Sequence, residues 1–320
     1  MASITNTLTS FFKFIAIFGI FMLFSAPIQA EEAPKQMPPY GELLSLPEII
    51  YDDYLNAYDR VFDWEQAPYW WAVGLSTAAL LATDDKWIAE SQRLGRKLHL
   101  SEKDRTTTVA SYKDVTILRL PRDTGSFMYF IGDGWTHASI AAGFLAVGTW
   151  GENEKAYNVG YQLIEGMIST TIATQTLKHI TGHETPDHAS KPGGRWDFFP
   201  NQRAYFDCVP CYDAFPSGHL AVGSMTLTVI AKNYPDNPWI VPVGSTLLSM
   251  LSFQMMNNGV HWASDYPLAI ALGYTFGTMA YERGLRESNA MGSGAVVNNA
   301  IQWTPLLLPE GLGLAMRYDF

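Results

Sequence analysis

Hydrophobic positions gather into blocks along this chain. Beyond residue 68 they form about six apolar stretches, near 69–83, 128–149, 155–180, 218–232, 239–256 and 266–283. Each is longer than an ordinary strand, and Ala, Leu, Met and Gly outnumber β-branched residues in most of them, so the pattern predicts helices. Between the third and fourth lies a long segment, 181–216, crowded with Pro, Gly, Asp and aromatic residues. A loop of that length in a compact protein is expected to build a site. A polar insertion at 84–124 joins the first two helices and shows no chemistry of its own. At the end of the chain Leu312, Leu314, Met316, Tyr318 and Phe320 alternate with Gly313, Ala315, Arg317 and Asp319. A period of two is a strand pattern, and its partner is expected at 301–308 across the Pro309-Glu310-Gly311 turn. The expected fold is all-α: a bundle of about six core helices with a long site-forming loop and a short C-terminal β-hairpin.

The pattern also divides the chain. Residues 14–26 (FIAIFGIFMLFSA) are a compact apolar run preceded by Lys13 and followed by Pro27 and the small-residue end at Ala30. That order of charge, apolar core and cleavable end is a secretory signal over 1–30, with an uncleaved anchor as the alternative. Residues 31–68 form an N-terminal extension, Pro-rich at first and amphipathic over 43–64. The helical domain spans 69–284 and the tail 285–320. Export to the cell envelope suits a disulfide between Cys208 and Cys211, the chain's two cysteines. Asp133, His137 and Glu165 interrupt two of the apolar stretches. Three spans before residue 181 would turn the cysteine-bearing loop toward the cytoplasm. Both points favour a soluble or peripheral protein over an integral one with six spans.

Composition narrows the partners. With 21 Lys and Arg against 31 Asp and Glu, the formal net charge is −10, which excludes a nucleic-acid partner and a basic docking face for anionic lipid. No cofactor or metal site is suggested. The oligomeric state is not legible.

Three short segments carry candidate chemistry. Ser217 in Phe215-Pro216-Ser217-Gly218-His219 stands where a helix N-cap belongs, so the first amides of the following helix offer a seat for an oxyanion. Gly218 permits close backbone approach, and His219 in the first turn can donate a proton to whatever sits there. In His261-Trp262-Ala263-Ser264-Asp265 the spacing of four sets His and Asp on one helical face, where the carboxylate can fix the imidazole tautomer. Lys178, at the end of the third helix, is a point charge suited to a phosphate oxygen. Each segment alone is more often structural: a capped helix, a His–Asp hydrogen bond, a cation at a helix C-terminus.

Taken in order, Lys178 with Thr185-Pro186, Pro216-Ser217-Gly218-His219, and His261 with Asp265 resemble the three-part signature of the type 2 phosphatidic acid phosphatase superfamily. That superfamily holds membrane lipid phosphatases, soluble acid phosphatases and vanadium haloperoxidases. The resemblance implies a metal-independent phosphatase in which His261 attacks phosphorus to form a phosphohistidine and Asp265 orients it. It implies that His219 protonates the leaving oxygen while Lys178, Ser217 and Gly218 hold the phosphoryl group. The substrate is then a phosphorylated small molecule or lipid, with membrane association to match. Two arginines of the signature are missing: Thr185 stands before Pro186, and Gln254-Met255 stands where Ser-Arg opens the third motif. Arg195, Arg203, Lys191 and His183 are the candidate compensating cations. A phosphatase-like protein that binds a ligand or partner without turnover is the alternative.

Overall fold

The computed structural model describes residues 46–113, 115–292, 302–308 and 311–317. The expected signal peptide and the first part of the extension, 1–45, lie outside them. In chain order the elements are α1 (Leu46–Phe62), α2 (Ala67–Leu81), α3 (Asp84–Lys97), β1 (Thr106–Tyr112), β2 (Val115–Pro121), α4 (Thr124–Phe130) and α5 (Gly134–Trp150). Then come α6 (Glu154–Thr181), α7 (Gln202–Asp207), α8 (Gly218–Asn233), α9 (Ile240–Asn257), α10 (Tyr266–Gly292), β3 (Gln302–Leu308) and β4 (Gly311–Arg317). The molecule is mainly helical, and the apolar stretches of the sequence are its long helices. Among the described residues no helix is long and apolar enough to cross a membrane.

Helix α8 lies at the centre, between α6 and α10 and against α9. Its Leu220, Met225 and Val229 are fully buried. One cluster joins α8 to α9 and α10 through Leu251, Phe253, Tyr266 and Ile270; a second joins α8 to α5 and α6 through Ala141, Val159 and Leu163. The approach of α10 to α8 depends on Gly273, where a Cβ would meet the Ala221 carbonyl oxygen at 2.2 Å. Helix ends are fixed locally. Asn153 caps α6 by accepting from the Ala156 amide, and Gly182, with φ 53°, closes the same helix in the left-handed conformation.

The amphipathic stretch of the extension is α1. Tyr54 donates to the Ser169 carbonyl of α6 (2.9 Å), and Arg283 of α10 reaches Asp53 while its Nε donates to Glu165 at 2.7 Å. These contacts tie α1 into the bundle. The expected second helix divides into α4 and α5 at Gly132-Asp133. Asp133 caps α5 through the Trp135 amide (2.9 Å), and the Thr136 hydroxyl donates to the Phe130 carbonyl at 2.6 Å. The insertion at 84–124, expected as a bare connection, holds α3 and an antiparallel β1–β2 hairpin. At the C-terminus β3 pairs antiparallel with β4, Gln302 opposite Arg317 and Leu308 opposite Gly311. Tyr318 and Phe320, part of the expected alternation, lie outside the described residues.

Candidate active site

The site forms where the long loop folds over the ends of α6, α8 and α9. Four hydrogen bonds stitch its segments together. The Thr181 hydroxyl donates to the Phe215 carbonyl (3.0 Å), and the Ser217 amide to the Asp265 carbonyl (3.2 Å). The Asp187 amide donates to the Gly259 carbonyl (2.9 Å), and Trp262 Nε1 to the Glu184 carbonyl (2.7 Å). Segments far apart in sequence therefore share one backbone frame. The Phe215–Pro216 peptide bond within it is cis.

His261 and Asp265 are both buried, with Nδ1 of the imidazole 3.1 Å from Oδ2 of the carboxylate, which also accepts from the Trp262 amide at 2.8 Å. A carboxylate opposite Nδ1 holds a proton there and leaves the Nε2 lone pair unused. Burial, the largest single influence on Asp265, pushes its carboxyl up. The hydrogen bonds and charges of His183 and His261 together outweigh it and hold the group below the ordinary carboxylate range. The peptide that carries this dyad is anchored from α3. Asp84, buried, accepts from the Ser264 amide (3.0 Å) and hydroxyl (2.6 Å). Burial raises the Asp84 carboxyl to about 6 against the lowering effect of those two bonds.

Across the site the ring of His219 lies 6.3 Å from that of His261, centroid to centroid, and 4.9 Å from Tyr129. Burial, followed by the charges of His261 and Lys178, lowers the His219 imidazole to about 3, so the ring is neutral in the resting site. Beside it, the first amides of α8 have no partner within the helix. Ser217 caps the helix, its Oγ accepting from the Leu220 amide (3.4 Å) and donating to the Met255 sulfur (3.6 Å). Access to these amides is open, since among the described residues a Cβ added at Gly218 would meet only Thr174 Oγ1, at 3.9 Å. Lys178 is buried, and Nζ donates to Asp213 twice, to the carbonyl at 2.8 Å and to Oδ2 at 2.9 Å. Tyr205 donates to the other Asp213 oxygen at 2.6 Å. One hydrogen of the ammonium remains for a ligand.

The positions of the absent arginines are filled by uncharged side chains turned inward. Met255 is fully buried against Ser217, and Thr185 is buried with its hydroxyl 3.5 Å from His188 Nδ1. Arg195 pairs with Glu184 (Nε to Oε1 3.4 Å) and lies 5.8 Å from the Tyr212 ring. Arg203 and Lys191 are exposed. Among the described residues, no hydrogen bond, ion pair or ring contact joins any of these three cations to His219, His261 or Lys178. His183 lies behind Asp265, with Nδ1 3.5 Å from Oδ1. A disulfide joins Cys208 to Cys211.

Asp84, Asp213 and Tyr129 were not among the residues singled out from the sequence. Asp84 falls there at the start of a polar insertion that shows no chemistry of its own, and Asp213 and Tyr129 belong to no motif. Each enters the site through a contact distant in sequence, which no local spacing announces. Residues 160–287, which contain all three motif segments, match the family model described as the PAP2 superfamily. No curated protein and no solved structure matches the chain.

Proposed function

Because the chain belongs to the PAP2 superfamily, we propose that it is a phosphoric ester hydrolase of the cell envelope working through a phosphohistidine at His261. The observation that carries this reading is the meeting of His219 and His261, 6.3 Å apart, beside the open N-terminus of α8 and the Lys178 ammonium. His261 Nε2 attacks phosphorus, a phosphorus–nitrogen bond forms, and the phosphorus–oxygen bond to the leaving group breaks. His219 gives that oxygen its proton. Water then attacks the phosphohistidine, passing a proton to His219 and releasing inorganic phosphate. Asp265 holds the imidazole in its attacking tautomer and offsets the positive charge it acquires. The Gly218 amide and Lys178 bind the phosphoryl oxygens, whose charge accumulates at a helix N-terminus prearranged to receive it. His219 is neutral at rest, chiefly through burial; a bound phosphate group adds a negative charge that favours its protonated form.

A substrate with an apolar portion has room nearby. One turn along α8 from His219, at Gly223, begins a cavity of about 370 Å³ lined by Phe130, Ile140, Leu227, Val243 and Leu248 among others. This supports a lipid phosphate within the substrate class. Exposed Trp71, Trp150 and Trp239 on α2, α5 and beside α9 support association with a membrane surface. The test is phosphate release from soluble and lipid phosphomonoesters and diphosphates, native protein against His261→Ala. Release by the native protein alone is expected; equal release by both overturns the reading. The uncharged Met255 and Thr185, with Lys178 clasped by Asp213, favour a second reading of ligand binding without turnover. That reading requires ligand affinity to be unchanged in His261→Ala and no phosphate to be released.

A further inference from the structure

Behind the attacking pair lies a third imidazole that the reaction as drawn does not use. His183 is fully buried, its ring stacked 3.9 Å from Trp196 at 14° and 6.0 Å from Trp262. Both of its nitrogens face oxygen. Nε2 is 3.0 Å from the Gly193 carbonyl, an acceptor, so this nitrogen must donate. Nδ1 faces Asp265 Oδ1 at 3.5 Å, and neither atom has a hydrogen-bond partner among the described residues. A bare Nδ1 there would set a lone pair against a buried anionic oxygen, an arrangement that repels. A protonated Nδ1 turns that repulsion into an ion pair across 3.5 Å.

Resting on the phosphohistidine reading, we propose that His183 donates from both ring nitrogens, as an imidazolium gripping Asp265 from behind, and so positions and tunes the carboxylate that orients His261. Asp265 is thereby bracketed, Oδ2 serving His261 and the Trp262 amide and Oδ1 serving His183. The charge has a consequence for the nucleophile. A carboxylate shared with a second cation pulls less strongly on a proton at His261. The positive charge that the missing arginines do not supply is thus returned behind the dyad, where it acts on Asp265.

The other charged groups around His183 are accounted for. Asp84 on α3 lies beneath Ser264 and adds a negative charge that also favours an imidazolium. Glu184, next in the chain, is turned away to Ser190 and Arg195. Lys178 and Asp213 neutralise one another. The ring stacks on the uncharged Trp196 at 3.9 Å, with Trp262 at 6.0 Å.

The experiment uses the full chain with ¹⁵N-labelled histidine. At neutral pH the His183 ring, identified by its absence in His183→Gln, is expected to show a proton on each nitrogen. A ring with a single protonated nitrogen overturns the proposal, and this spectrum needs no turnover. Kinetics give the second arm. His183→Phe keeps the stack between the tryptophans and removes both donors; the acid limb of its kcat/KM profile is expected to move up by about one pH unit, with kcat lowered roughly tenfold. His183→Gln restores one uncharged donor, so it should recover much of kcat while keeping the shifted limb. Profiles in both variants that superimpose on the native one would mean that the residue only fills space. Should the native protein release no phosphate from any ester, the phosphatase reading fails by itself, and the spectrum still decides the state of His183.

Discussion

Lys178 meets a ligand with most of its hydrogen-bonding capacity already taken up by the protein. A free ammonium offers three hydrogens, and here Asp213 takes two of them. Lys178→Met should therefore weaken binding of inorganic phosphate as a competitive inhibitor by roughly 10- to 100-fold, the loss of one charge-assisted hydrogen bond. Equal inhibition of native and variant proteins would remove Lys178 from the phosphate site. Single residues were legible in the sequence where chemistry and spacing coincide, as in His261 and Asp265, four apart, or Ser217 at a helix entrance. They were not legible where the partner is remote. Nothing around Asp84 announces that its carboxylate holds Ser264 across the molecule, and nothing around Asp213 announces that it clasps Lys178.

Among elements, the long helices could be read from the sequence because each buries apolar side chains against several neighbours, which keeps their apolar runs long. The β1–β2 hairpin could not, because most of the side chains of β1 are exposed and so impose no alternation of apolar and polar positions. The break between α4 and α5 was hidden for another reason: Gly132 and Asp133 are too short an interruption to disturb an apolar run. The joint of α1, α6 and α10 invites a test. Glu165 and Asp53 hold the Arg283 guanidinium in the interior. Glu165→Ala leaves that cation short of a partner and should lower unfolding free energy by about 3 kcal/mol or more, read from urea denaturation. A loss within error would mean that the other partners of Arg283, Asp53 among them, satisfy it without Glu165.

At the scale of the whole molecule, buried imidazoles contribute to the response to acid. Burial lowers His137 to about 4, and its Nδ1 lies 2.9 Å from Thr226 Oγ1. Below about pH 6.5 the unfolded chain binds a proton at this histidine that the folded chain does not take up until about pH 4, so stability falls as pH drops through that window. Asp84, raised to about 6, acts in the opposite sense, the folded chain binding its proton first as pH falls from 6 toward the ordinary value of 3.8. His137→Asn should flatten the decline of Tm between pH 6.5 and 4, and an unchanged slope would assign acid sensitivity elsewhere. The apolar cavity also belongs to this scale. Val243→Trp at its exposed rim should slow hydrolysis of a long-chain lipid phosphate by about tenfold while leaving a short phosphomonoester unaffected, measured as the ratio of kcat/KM values. Equal effects on both substrates would separate the cavity from substrate binding.

The account turns on whether His261 becomes covalently phosphorylated. Acid-free rapid quenching during turnover, followed by mass spectrometry of the intact chain and its peptides, reads this directly. The predicted result is a single phosphoryl adduct on the peptide containing His261, absent in His261→Ala and lost on brief exposure to acid. Steady hydrolysis with no adduct, or an adduct on another residue that persists in His261→Ala, would contradict it.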